Sequence, residues 1–180
     1  MRLALFPAIE RPDLLGPSVA DALSNWKGAV PLDQIEVAEI DPTLADTAEF
    51  CQRYEVSPDV SANCVVVAGK RGDETRYAAC VVLATTRADV NGVVRRRLDA
   101  RKVSFASMDD AVERTAMEYG GITPVGLPDT WPILIDSAVV HTDHVIVGSG
   151  IRGSKLWLPG SALAALANAE VIDGLARPVA

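Results

Sequence analysis

Residues 63–85, NCVVVAGKRGDETRYAACVVLAT, decide the fold class. Asn63 to Ala68 and Thr75 to Thr85 are rich in Val, Ala and Cys, and the polar Lys70-Arg71-Gly72-Asp73-Glu74 between them has turn chemistry. An antiparallel hairpin follows from that pattern. The continuous apolar content of both arms places it at the centre of a buried sheet. Downstream, Val90, Val93, Val94 and Leu98 recur at helical spacing, and Lys102 to Phe105 reads as a short strand. Ser107 and Asp110 form a capping-box-like pair opening a helix with Met108, Val112, Ala116 and Tyr119 as its buried stripe. This helix is expected to run into Gly120-Gly121, where glycine serves as the C-cap.

Pro132 to Asp136, His144 to Gly148, Lys155 to Leu158 and Glu170 to Ile172 have strand character. Short helices are expected at Val19 to Trp26, with Ser18 as N-cap, at Thr47 to Tyr54, capped by Asp46 or Thr47, and at Ala162 to Leu166. Hairpins mixed with helices predict an α+β domain with a mixed, mostly antiparallel sheet flanked by helices. One domain accounts for all 180 residues, the proline-punctuated first 40 or so forming an extension packed on the core.

Composition narrows the function. The net charge of −7 argues against a protein that coats nucleic acid through a general basic surface, and no DNA partner is expected. Yet Arg95, Arg96, Arg97, Arg101 and Lys102 gather five of the 17 basic residues, either as a solvated helix face or as an RNA contact. Cys51, Cys64 and Cys80 lack metal-finger spacing and read as three buried thiols. With no long apolar run and no leader-like N-terminus, a cytoplasmic protein without membrane contact is expected.

The inventory of chemical motifs is thin. His141 and His144 could join Asp143 around a metal only if their loop curled, and a polar connecting loop is the commoner setting. No metal or cofactor is expected. Gly148, Gly150 and Gly153 fit a dinucleotide fingerprint, but Ser-Lys-Leu-Trp-Leu-Pro follows where a phosphate-binding helix is needed. What remains is backbone: Gly120-Gly121-Ile122-Thr123-Pro124-Val125-Gly126 and Gly148-Ser149-Gly150-Ile151-Arg152-Gly153. Glycine lets a ligand approach the chain closely, and consecutive amides can cradle an anion or a carbonyl.

These two blocks, with Leu134-Ile135-Asp136 between them and the hairpin before, resemble the YbaK/prolyl-tRNA synthetase-associated editing domain family over roughly residues 40 to 175. The resemblance implies a barrel-like sheet and hydrolysis, in trans, of the ester joining a wrong amino acid to tRNA. Such editing is needed because one methylene gives only about 1–3 kcal/mol of discrimination. It further implies that Gly120, Gly121, Ile122, Thr123 and Pro124 hold the aminoacyl ester while water, helped by a ribose hydroxyl, attacks it. Gly148, Ser149, Gly150, Arg152 and Gly153 would complete the pocket near the terminal adenosine, with Asn63 as a further contact and Asp136 either another contact or, as a strand-ending aspartate, the cap of the next turn. Arg95 to Lys102 would meet the acceptor end of the tRNA. The family commonly places a functional lysine at the start of the first hairpin strand, where this chain has Ala62. Asn63, Thr47 and Arg152 are the expected stand-ins. The alternative is a noncatalytic module of the same fold that binds an aminoacyl- or nucleotide-like ligand.

Overall fold

The computed structural model describes residues 1–179. The N-terminal part supplies strand β1 (Phe6–Pro7), helix α1 (Pro17–Ser24), strand β2 (Glu36–Glu39) and helix α2 (Thr47–Tyr54). The hairpin follows as β3 (Ala62–Arg71) and β4 (Glu74–Leu83), then β5 (Thr86–Ala88). A π-helical turn (Val90–Val94) continues into α3 (Arg95–Arg97), β6 (Lys102–Phe105) and α4 (Met108–Thr115). The remainder holds β7 (Ile133–Asp136), α5 (Ser137–His141), β8 (His144–Gly148), β9 (Ser154–Pro159) and α6 (Gly160–Ala164). Two short strands, β10 (Ala169–Ile172) and β11 (Ala176–Pro178), close it.

The hairpin lies inside a mixed five-stranded sheet of order β10-β7-β4-β3-β6, in which β7 runs parallel to β4 and β10. A four-stranded antiparallel sheet, β1-β2-β9-β8, lies beside it, and β11 pairs with β5 as a separate ribbon. The two larger sheets meet at a single bridge between Ser61 and Ile146 and stay open, so the barrel-like closure is replaced by an α+β arrangement of two sheets flanked by helices.

Strand alternation divides the core. Val81, Leu83, Ile133 and Ile135 turn toward the four-stranded sheet together with Leu156, Leu158, Val19 and Leu23. Ala78, Cys80 and Val82 turn the other way, against Val90, Val94 and Leu98. Residues 1–40 thus contribute both core side chains and β1 and β2 to a sheet.

Several local expectations are corrected. Helix α4 stops at Thr115 because that hydroxyl donates to Ala111 O (2.7 Å) and accepts from Met117 N (3.2 Å), tying off the last turn. Ala116, with φ 55°, is the C-cap, and Gly120-Gly121 lies beyond the helix. The buried flank is Ala111 and Thr115, packed toward Val66 and Trp131, whereas Met108 is 55% exposed. Ser107 does cap the Asp110 amide as expected. The helical spacing after Asp89 becomes π-helical, Val94 N donating five residues back to Asp89 O (3.1 Å), while the Asp89 carboxylate caps the turn by accepting from Gly92 N and Val93 N. Helix α1 starts one residue earlier than its expected cap, with Gly16 as N-cap and Pro17 at the first helical position.

Asp136 ends β7 as a buried N-cap. Its two carboxylate oxygens accept from Ala138 N (3.0 Å) and Ala176 N (2.8 Å), which fixes the start of α5 and anchors β11. Asp136→Ala is expected to lower stability by about 1–3 kcal/mol, measured by urea unfolding, because both amides lose their acceptor.

Candidate functional site

The site starts from a clasp between the two glycine blocks. Gly121 N donates to Glu118 O (2.9 Å), closing a four-residue turn whose third position, Gly120, has φ 88°. That left-handed value is what a type II turn requires there, and glycine meets it without strain. Gly150 N then donates to Gly121 O (2.7 Å) and Glu118 N to Gly150 O (3.0 Å), so each turn satisfies the other's backbone. Arg152 reinforces the clasp: its amide donates to the Glu118 carboxylate (2.7 Å), and its guanidinium donates to Tyr119 O (3.0 Å) and Pro42 O (3.1 Å). Gly148, at the end of β8, lets the first turn lie directly on the sheet. A Cβ there would come within 2.6 Å of Ile122 O and closer still to Gly121 O.

In front of the clasp is a cleft of about 500 Å³. Its walls are the open start of β3 (Ala62 to Val66), the segment entering α2 (Ala45 to Thr47), Gly120 and Ile122, and Gly148 with Lys155. Phe105 and Tyr119 stand at its rim, 63% and 48% exposed. Among the described residues, the amides of Gly120 and Ile122 have no acceptor, whereas that of Gly121 is taken by Glu118 O. Both residues line the cleft, and neither amide has a backbone acceptor. Thr47 donates its hydroxyl to the side-chain oxygen of Asn63 (2.7 Å), which holds the carboxamide in place at the cleft wall.

Lys155 is the residue that sequence reasoning missed. It is only 9% exposed, sits in β9 opposite Gly148, and donates from Nζ to Ala45 O (2.9 Å) and Gly120 O (3.4 Å). The Phe50 ring lies 5.4 Å below the ammonium. Desolvation pushes its pKa down to about 8, opposed by the charge of Asp46 and aided by that of Arg152. No carboxylate pairs with it directly among the described residues; the Asp46 carboxylate lies 3.8 Å from Arg152 instead. In sequence, Ser-Lys-Leu-Trp-Leu-Pro reads simply as a strand. The only available signal was its register opposite a glycine.

The sequence-derived residues divide between this cleft and other places. Asn63, Gly120, Ile122 and Gly148 line it together with Ala62. Gly121 and Thr123 are buried behind, and Pro124 faces a second cavity between α1 and the segment after α6. Ser149 bonds to Ser154 behind the clasp (2.6 Å), and Gly153 accepts from Ile40 N. Asp136 serves the cap already described. Arg95, Arg96 and Arg97 lie beyond the opposite face of the five-stranded sheet, where Arg97 pairs with Glu170 and Arg95 donates to Asn91 O. Arg101 and Lys102 are nearer in sequence to the rim, since β6 runs from Lys102 to Phe105.

The three cysteines are free, and Cys64 is only partly buried, lining the cleft instead of lying in the core; burial pushes its thiol well above the usual range. His144 contacts Asp143 (2.7 Å) and stacks on Trp157, and no group of three metal-ligating side chains converges among the described residues. No helix among them is long and apolar enough to cross a membrane.

The candidate site is thus a cleft lined by the first glycine turn, with the second interlocked behind it, on a mixed α+β scaffold. A family model described as the aminoacyl-tRNA editing domain matches residues 41–166, well over half of the chain. The chain belongs to the aminoacyl-tRNA editing domain family. Its fold is also that of a proposed trans-editing enzyme for prolyl tRNA synthetase, with TM-score 0.71, 22% identity, and 88% of this chain and 97% of that one covered. A protein used as a scaffold for grafting linear epitopes superposes equally well, with TM-score 0.71, 21% identity and coverage of 88% and 95%.

Burial of Lys155 gives a thermodynamic test. The unfolded chain keeps this proton to near the ordinary value of 10.5 and the folded chain releases it near 8, so stability rises with pH between those values. The free-energy difference between wild type and Lys155→Met is expected to shift by on the order of 3 kcal/mol in favour of wild type across that window, read by denaturant unfolding at each pH. A difference independent of pH contradicts the burial.

Proposed function

We propose that the protein hydrolyses the ester of mischarged aminoacyl-tRNA, acting in trans on the free acceptor end. The observation that carries this is that Gly120 and Ile122, whose amides have no backbone acceptor, line a cleft beside Asn63. An ester carbonyl seated there receives backbone hydrogen bonds that strengthen as its oxygen gains charge, a form of stabilisation worth about 2.7–4 kcal/mol per donor in acyl transfer. Water attacks the carbonyl carbon, helped by a ribose hydroxyl of the substrate. The ester bond breaks toward the ribose oxygen, which takes up the proton.

The cleft volume falls within the range of about 300–1,000 Å³ usual for small-ligand sites, enough for a terminal nucleoside with its amino acid. Exposed Phe105 and Tyr119 at the rim suit stacking on unpaired 3′ nucleotides, worth about 1–3 kcal/mol per base. Arg101 and Lys102, at the other end of β6, lie about 10 Å further along an edge strand, in reach of the acceptor backbone. The fold shared with a proposed trans-editing enzyme is consistent with this reading. A noncatalytic ligand-binding module is the second reading, favoured by Ala62 at the cleft wall.

The deciding experiment is a deacylation screen of purified protein against a panel of mischarged tRNAs. At least one substrate is expected to be hydrolysed, with Asn63→Ala slowing turnover and Phe105→Ala weakening tRNA binding about 5- to 100-fold. Replacing Arg101 and Lys102 with Ala is expected to flatten the salt dependence of binding. Binding without hydrolysis of any member supports the noncatalytic module instead.

A further inference from the structure

An ammonium held 9% exposed without a carboxylate partner is an expensive arrangement, since burial of a charge is normally matched by a counter-charge. Lys155 has three protons to donate, and the protein accepts two, through Ala45 O and Gly120 O. The residue lines the cleft, so the remaining donor is available to whatever enters it. The ammonium also lies 3.4 Å from the carbonyl of Gly120, whose own amide is one of the two free donors. A buried positive charge and two residues with unengaged amides therefore line the same cleft.

We propose that Lys155 is a catalytic residue whose ammonium stabilises the oxyanion formed when the ester carbonyl is attacked. The inference rests on the deacylase reading and assigns to this chain a cationic group that its hairpin strand, with Ala62 at its start, does not supply. As water adds to the carbonyl carbon, the π electron pair moves onto the carbonyl oxygen, and that oxygen faces the Gly120 and Ile122 amides and the third proton of Lys155. The pair returns as the bond to the ribose oxygen breaks. Lys155 keeps its proton throughout, so the step needs no co-reactant.

The neighbouring groups fit a charge that is lent to the substrate. Asp46 lies near enough to favour the ammonium but is directed to Arg152, Arg152 opposes it, and Cys51 is the remaining titratable neighbour. The carbonyls of Ala45 and Gly120 orient the ammonium without neutralising it. The Phe50 ring, 5.4 Å from the ammonium, is not part of the cleft lining.

Two adenosine conjugates test the role without requiring turnover: an aminoalkyl phosphonate, whose charged oxygen stands in for the oxyanion, and the isosteric uncharged amide. Wild type is expected to bind the phosphonate more tightly than the amide. Lys155→Met and Lys155→Gln are expected to lose that preference by about 10²-fold while binding the amide as before. Raising the pH from about 7 to about 9.5 is expected to erode the preference in wild type only. With an active substrate, Lys155→Ala is expected to lower kcat with little change in KM and to regain activity with added propylammonium. If both conjugates bind and the preference survives in Lys155→Met and Lys155→Gln, or if these variants raise KM alone as loss of a phosphate anchor would, the oxyanion role is overturned and the deacylase reading stands. If neither conjugate binds wild type, the deacylase reading fails and this inference fails with it.

Discussion

The reciprocal hydrogen bonds between Gly121 and Gly150, and between Gly150 and Glu118, are the constraint on which the rest of the site depends. They let two turns satisfy one another, so that neither must turn inward to find partners for its backbone. Because the clasp uses Gly121 N but leaves Gly120 N and Ile122 N unengaged, it separates a structural amide from two available ones within three residues. Gly148 makes this possible by letting the first turn rest on the sheet, and Arg152 fastens it to the segment entering α2. The cleft wall is thus a consequence of backbone packing before any side chain contributes.

Lys155 shows the opposite balance. Its burial opposes folding at neutral pH, and hydrophobic replacement of a buried charge is often neutral or stabilising. Groups held in a shifted protonation state and aimed into a cleft are a recurrent mark of functional sites. The stability lost to desolvation is the same quantity that strengthens the ammonium's interaction with a charge developing nearby, since little water remains to screen it.

Much of the fold was legible because its signals are local. The hairpin, β6, β8 and the Ser107 cap follow from alternation, turn residues and capping chemistry within a few positions of one another. Where the expectation failed, local bonding had redirected the backbone: the Thr115 hydroxyl ended α4 before the glycines, and the Val94 amide reached back five residues to Asp89 O in a π-helical turn. The glycine blocks were recognisable as a pair, but which of their amides stay free depends on bonds between residues some 30 positions apart. Lys155 was illegible for the same reason, as its acceptors lie 110 and 35 residues away and its environment depends on Gly148 across the sheet. Asp136 was legible as a strand-ending aspartate that caps the next turn, but its second bond, to Ala176 forty residues on, was not.

The central claim is that the free amides of the clasp receive the ester carbonyl. A crystal structure of the protein with a non-hydrolysable 3′-aminoacylamido-adenosine tests it most directly. The account predicts the acyl oxygen at about 3 Å from the amide of Gly120 or Ile122, with the adenine at the Phe105 and Tyr119 rim. An acyl group seated elsewhere, such as the cavity between Trp26 and Gly126, with both amides left unbound, would contradict it.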